Sequence, residues 1–278
     1  MFMLVKYAGE SGIAVPEMMF WRQAVSLPVL FGWLAATGGL SQLRTRRLGS
    51  HAQRGAVGML GMLCNFLAAT LLQLAVSTTL TFTTPLFAVI LTALLLRERV
   101  GFWRWTAVAL GFAGVLVIAQ PSHAPDSIPG AVAGLLAGLL VAVISFQIRD
   151  LARTESSAAI VFYYALFGAL MTAPFLPFVA TAHTAEQWLV LLALGLVGTT
   201  GQLLITMALR HGAVASVIVM DYTALVWATL FGWLVWEQLP PLATWLGAPA
   251  IVAAGLIVAW REQRLAKAIS PASALDQK

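Results

Sequence analysis

Residues 84–105 read TPLFAVILTALLLRERVGFWRW, and residues 223–245 read TALVWATLFGWLVWEQLPPLATW. Laid over one another, Thr84 meets Thr223, Leu86 meets Leu225 and Glu98 meets Glu237, all 139 positions apart. Upstream, Ser77 meets Ser216. Downstream, AGVLVIA from Ala113 meets AGLIVA from Ala254 after a shift of two more. Each copy is an apolar run that stops at a glutamate turn and is followed by a second apolar run. A repeat of this kind means that two copies of one unit build the fold.

Working outward, apolar runs near the bilayer length of about 20 residues fall at 17–40, 55–76, 79–96, 102–120, 130–148, 157–179, 187–209, 213–236 and 243–260. They fill nearly the whole 278-residue chain. Composition agrees: 60% of residues are hydrophobic and 10% charged, where soluble proteins carry about 25% charged. The expected fold class is therefore all-α, a polytopic transmembrane helical bundle. The repeat assigns five helices to each half, and an odd number turns the second half over in the membrane. That is an inverted-topology repeat, with residues 1–125 as the first half, 126–265 as the second and 266–278 as a tail. Projecting the first helix of the second half back by one repeat places its twin partly before Met1, so the first helix reads as shortened by ten to fifteen residues.

The charges fix an orientation. With loops on alternating sides, one side holds fourteen Lys and Arg, including Arg44, Arg46, Arg47, Arg54, Arg104, Arg149 and Arg210, and the other holds none. This is a positive-inside pattern, so the basic excess marks a cytoplasmic face that includes the C-terminus. The pI near 9.9 therefore does not point to nucleic acid. Only Lys6 and Arg22 fall outside the scheme. The single cysteine, Cys64, excludes an intrachain disulfide. The four histidines fall in loops or at span ends without ligand spacing, so neither a metal, a cofactor nor intramembrane enzyme chemistry is expected.

Several stretches, in order, resemble the drug/metabolite transporter superfamily in its ten-helix EamA-type branch: PEMMFWRQAVSLPVL, TTPLFAVILTALLLRERV, LGFAGVLVIAQP, ALRHGAVASVIVMDYTALVWATLFGWLVWEQLP and APAIVAAGLIVA. The amino-acid exporters, aromatic amino-acid types among them, look most alike. The resemblance implies secondary transport of amino acids, drugs or other small metabolites across a bacterial inner membrane, by alternating access. It also implies a central cavity between the repeats, which a monomer of ten helices can enclose. The partners implied are a small-molecule substrate and the lipid bilayer.

Within that frame the substrate-binding candidates are Asp221, Tyr222, Gln73, Asn65, Gln202, Thr206 and Arg22. Asp221 falls about 12 Å along its helix at 1.5 Å per residue, near the midplane where such carriers bind. Two readings stand side by side: a carboxylate facing a wet cavity to bind an amine or carry a proton, and a structural carboxyl bonded to a neighbouring helix. Tyr222 offers an aromatic face to a cation. Asn65, Gln73, Gln202 and Thr206 are in-span polar groups that either hold ligand or join helices. Arg22 either captures a substrate carboxylate toward the outer mouth or snorkels. Gly55, Gly58 and Gly61 read as helix-packing positions, and Pro85 as a hinge or a static bend.

Overall fold

A computed structural model describes residues 1–95, 101–118, 127–211 and 222–275. The chain is a bundle of helices, with no strand among the described residues. They are α1 (Phe2–Glu10), α2 (Val15–Ala36), α3 (Leu48–Leu71), α4 (Leu74–Thr81), α5 (Thr84–Leu95), α6 (Phe102–Ile118), α7 (Ser127–Leu151), α8 (Ser157–Thr172), α9 (Leu176–Val179), α10 (Ala185–His211), α11 (Thr223–Trp236) and α12 (Leu242–Leu275). Every expected span overlaps one of these helices or an in-line pair. Six stretches among the described residues have both the length and the apolarity to cross a bilayer. Of the rest, α6 and α11 are apolar but shorter, while α2 is 22 residues long and carries Glu17, Arg22 and Gln23. The flanks present bare aromatics and aliphatics such as Trp103, Phe178, Leu242 and Trp245, as a lipid-facing surface does. Trp227 belongs to that surface too, being 57% exposed.

The repeat is legible in the elements. Thr84 and Thr223, aligned by sequence, are the first residues of α5 and α11. Tyr222 is the N-cap residue of α11, and α5 follows an interruption at Phe82–Thr83. In the first half its cause is local. Pro85 has no N–H to give the Thr81 carbonyl, four residues back, and that carbonyl instead accepts from Thr84 Oγ1 at 2.8 Å. Thr78, Thr79 and Thr83 also turn their hydroxyls onto carbonyls three or four residues back, at 2.7–2.8 Å. Such back-bonding bends helices. The threonine run thus shapes a break at Phe82–Thr83 instead of opening one continuous span.

Glycines set how closely the helices meet. A Cβ on Gly114 of α6 would lie 2.7 Å from the Gly247 carbonyl oxygen of α12. One on Gly195 of α10 would lie 2.5 Å from Val25 Cβ of α2. Close backbone approach of this kind is how membrane helices gain dispersion energy without a hydrophobic drive between them.

Two expectations change. Gln73, expected inside the third span, follows the end of α3 at Leu71 and is the N-cap residue of α4. Arg54, expected in a cytoplasmic loop, lies six residues inside α3 and is 2% exposed. The loop-charge count treats any arginine near a span end as solvated, and α3 begins earlier than its hydropathy does.

Candidate functional site

The interior of the bundle holds a cavity of about 790 Å³. Walls come from both halves: Asn65 of α3, Thr81 of α4 and Thr92 of α5 on one side, Ser145 of α7, Gln202 of α10 and Tyr222 before α11 on the other. The helices α7 and α10 contribute only from Val141 and Val197 onward. Those are the halves running toward the arginine-rich end of the bundle. Arg104 and Arg149 stand on the wall there. Among the described lining residues there are three arginines, the third being Arg22, and no aspartate or glutamate.

At the other end the helices are tied together. Glu17 of α2 and His183, just before α10, meet at 2.6 Å with both side chains almost fully buried. The His183 ring stands edge-on to Trp188, which stands edge-on to Trp21. Lys6 of α1 donates to the Leu72 carbonyl at 3.0 Å, lies 3.7 Å from Glu10 and faces the Trp236 ring at 5.7 Å. Trp236 donates to Glu10, and Tyr7 donates to Glu186. Lys6 is therefore pinned between elements and 7% exposed, not extended along a helix end.

Four of the seven candidates share the cavity wall: Arg22, Asn65, Gln202 and Tyr222. Asn65 Nδ2 donates to the Gly61 carbonyl at 3.1 Å, and its Oδ1 accepts from Thr81 Oγ1 at 3.3 Å. Tyr222 packs edge-on against Phe82 at 4.9 Å, joining the residue before α11 to the break before α5. Arg22 is 4% exposed. Its Nη1 donates to Gln23 Oε1 at 3.0 Å and its Nη2 reaches the Gly198 carbonyl at 3.5 Å. It does not snorkel; it turns inward. Gln73 and Thr206 are off this wall. Thr206 is fully buried and donates to the Gln202 carbonyl of its own helix at 2.7 Å. Asp221 lies outside the described residues.

Sequence reasoning missed Ser145, Thr81, Arg104 and Arg149 as wall residues. The signal for the arginines was absorbed by the loop count, and the hydroxyls bond carbonyls of their own helices, Thr81 to Ser77 at 3.1 Å. Ser145 does bond the Val141 carbonyl at 2.8 Å, so the hydroxyl both satisfies its helix and lines the cavity.

The arrangement has known relatives. The model of the EamA-like transporter family matches residues 1–120 and again residues 128–260. The pseudopaline exporter of Pseudomonas aeruginosa is 32% identical over 90% of this chain and 88% of its own. The riboflavin transporter of Vibrio cholerae is 28% identical over 94% and 89%. An S-adenosylmethionine uptake transporter of Rickettsia bellii is 25% identical over 89% and 84%. A solved crystal structure matches 95% of this chain and 94% of its own with a TM-score of 0.64 at 22% identity, which shows the fold.

Proposed function

The chain belongs to the EamA-like transporter family, and on that premise we propose that it is a secondary transporter exporting an amino acid or a similar small metabolite across a bacterial inner membrane. The observation that carries this reading is the 790 Å³ cavity walled by both repeats. A cavity between two inverted halves is the arrangement that alternating access uses. With the arginine-rich end cytoplasmic, by the positive-inside rule, the cavity reaches toward the cytoplasm. The contacts of Glu17, Lys6, Tyr7 and Trp236 then close the far side. That is a loading state for export. The relatives are named for small metabolites, and their names include both export and uptake, so direction is a property to measure.

In this reading Asp221 and the Tyr222 ring meet an ammonium group. Asn65 and Gln202 meet hydrogen-bonding groups on the substrate, and Arg22 meets a carboxylate. Gln73 and Thr206, off the wall, have no part in it. The residues 1–125 and 126–265 rock against one another around the site.

The test is flux of radiolabelled amino acids in proteoliposomes, read in both directions, with and without an imposed pH gradient. Wild type should show saturable flux that Asp221→Asn abolishes while inserting normally. Loss of only the pH-dependent part would assign Asp221 the coupling proton. Saturable flux that Asp221→Asn leaves unchanged would remove Asp221 from the site. No flux of any amino acid would end the substrate class proposed.

A further inference from the structure

A smaller lobe of about 170 Å³ adjoins the central cavity. It shares Arg22, Asn65 and Gln202 with it and reaches back to Arg54 of α3 and Tyr164 of α8. The two arginines there are 4% and 2% exposed. Their guanidinium carbons lie 5.8 and 4.4 Å from the centroid of one ring, that of Tyr164. Neither has a carboxylate within ion-pair distance among the described residues. Arg54 Nε and Nη1 and Arg22 Nε make no hydrogen bond with the described residues.

Two glycines hold these side chains where they are. A Cβ on Gly58, one turn along α3, would run into Arg54 Nη1 and come within 2.7 Å of the Tyr164 ring. A Cβ on Gly198 of α10 would stand 2.7 Å from Arg22 Nε. The glycine read from sequence as a packing position is, at Gly58, the notch in which a guanidinium folds back along its own helix.

The energetics do not close without a further group. A cation over an aromatic face gains about 0.5–2 kcal/mol, whereas an uncompensated buried ion costs several. Here one ring serves two cations that also repel each other. What the lobe lacks is an oxyanion, and the two arginines that line it carry the forked N–H donors that suit one. The lobe is too small for a whole metabolite and opens to a cavity that can hold the remainder.

We propose that the lobe between Arg22 and Arg54 is the carboxylate-binding subsite of the transported molecule, so that the substrate is a carboxylate-bearing metabolite whose body lies in the central cavity. This rests on the carrier reading above and names its substrate class. Arg54 enters the site from α3, one residue before the apolar run at 55–76 begins. Tyr164 positions both cations from behind.

The experiment uses the purified full chain and reads binding apart from transport. Thermal stability in detergent is titrated with amino acids and with the matching amino-acid amides, which differ only at the carboxylate. The expected result is stabilisation by the acids and at least tenfold weaker stabilisation by the amides, as for loss of a hydrogen bond to a charged group. Arg54→Gln should weaken acid binding about tenfold or more and remove the preference over amides, and Arg54→Lys should restore part of it. Should Arg54→Gln not fold, Gly58→Ala displaces the guanidinium while keeping its charge, and it should reduce the same preference. Equal binding of acids and amides by wild type would overturn the proposal. So would unchanged acid binding by both Arg54→Gln and Gly58→Ala. Stabilisation by inorganic phosphate, sulfate or chloride that amino acids do not displace would overturn it as well, leaving a structural anion site. Acid-selective binding without flux in proteoliposomes would keep the subsite and end the carrier reading. Flux with no acid preference would do the reverse.

Discussion

Glu17 and Arg22 stand five residues apart on α2, both almost fully buried, and the protein treats their charges in opposite ways. Glu17 is spent on His183 at 2.6 Å, in a packed corner edged by Trp188 and Trp21. Arg22 has a neutral amide, a long contact to a carbonyl and the face of Tyr164, with the cavity in front of it. The same helix therefore carries a carboxylate met by a side chain at one end, with Glu17 Oε2 and His183 Nδ1 left without a hydrogen bond among the described residues, and about 7.5 Å further along a cation that no carboxylate meets among them. The difference separates bracing from binding. Where a side chain of this protein meets the buried charge, the element is fixed; where a buried cation lines a cavity with no carboxylate beside it among the described residues, a ligand finishes the arrangement.

The largest expected effect breaks the paired side. Glu17→Ala removes one partner of a buried pair and leaves His183 facing apolar rings. The cost should be about 3 kcal/mol, where losing a buried pair and losing a hydrogen bond to a charged group overlap. Glu17→Gln retains an acceptor and should lose roughly a third of that. Unfolding in mixed detergent checks both. If Glu17→Ala is as stable as wild type, the corner does not brace the closed end. The arginines behave differently under the comparison, because replacing either should alter ligand response more than the stability of the unliganded chain.

The next effect lies on the seam between the two sides, where α2 meets α10. Gly195→Ala places a methyl 2.5 Å from Val25 Cβ, a branched carbon close to the backbone that cannot swing aside. The helices must part, at a cost of about 1–3 kcal/mol. Gly198 is one turn along, beside Arg22 Nε, a flexible side chain that can move. Gly198→Ala should therefore cost less stability than Gly195→Ala and more ligand affinity. Paired stability and binding titrations would show the inversion, and equal losses in both columns would mean that Arg22 is part of the brace.

How much of this was legible beforehand follows from what each signal measures. Spans and the repeat were legible because lipid imposes a strong, local rule on every residue of a run, and Thr84 and Thr223 begin equivalent helices as aligned. The break at Phe82–Thr83 was not, since it arises from side chains competing for carbonyls one turn back, which leaves hydropathy unchanged. Arg54 was misplaced for a related reason. An arginine near a span end looks the same in sequence whether it meets water or folds into a glycine notch, and the notch exists only once α8 brings Tyr164 against Gly58. Asn65, Gln202, Tyr222 and Arg22 reached the cavity wall because midplane polar groups seldom face lipid. That rule also selected Thr206, whose hydroxyl is answered within its own helix.

Thr206 and Gln202 supply the smallest and sharpest version of the comparison. They lie one turn apart on α10. Thr206 Oγ1 returns its proton to the Gln202 carbonyl at 2.7 Å, so its bonding is complete without any partner helix. Gln202 instead places its side chain on the cavity wall. Thr206→Ala removes a bond that competes with the helix's own ladder, and in-membrane side-chain bonds average about 0.6 kcal/mol. Its stability should change by less than about 1 kcal/mol, with substrate affinity unmoved. Thr206→Val, which keeps the shape, should be closer still to wild type. Gln202→Ala should leave stability similarly intact while weakening the substrate by about threefold to tenfold, the worth of one neutral hydrogen bond. Affinity from counterflow in proteoliposomes decides the matter. If the two substitutions shift it equally, exposure to the cavity is not what distinguishes a ligand-binding polar group from a helix-satisfying one in this bundle.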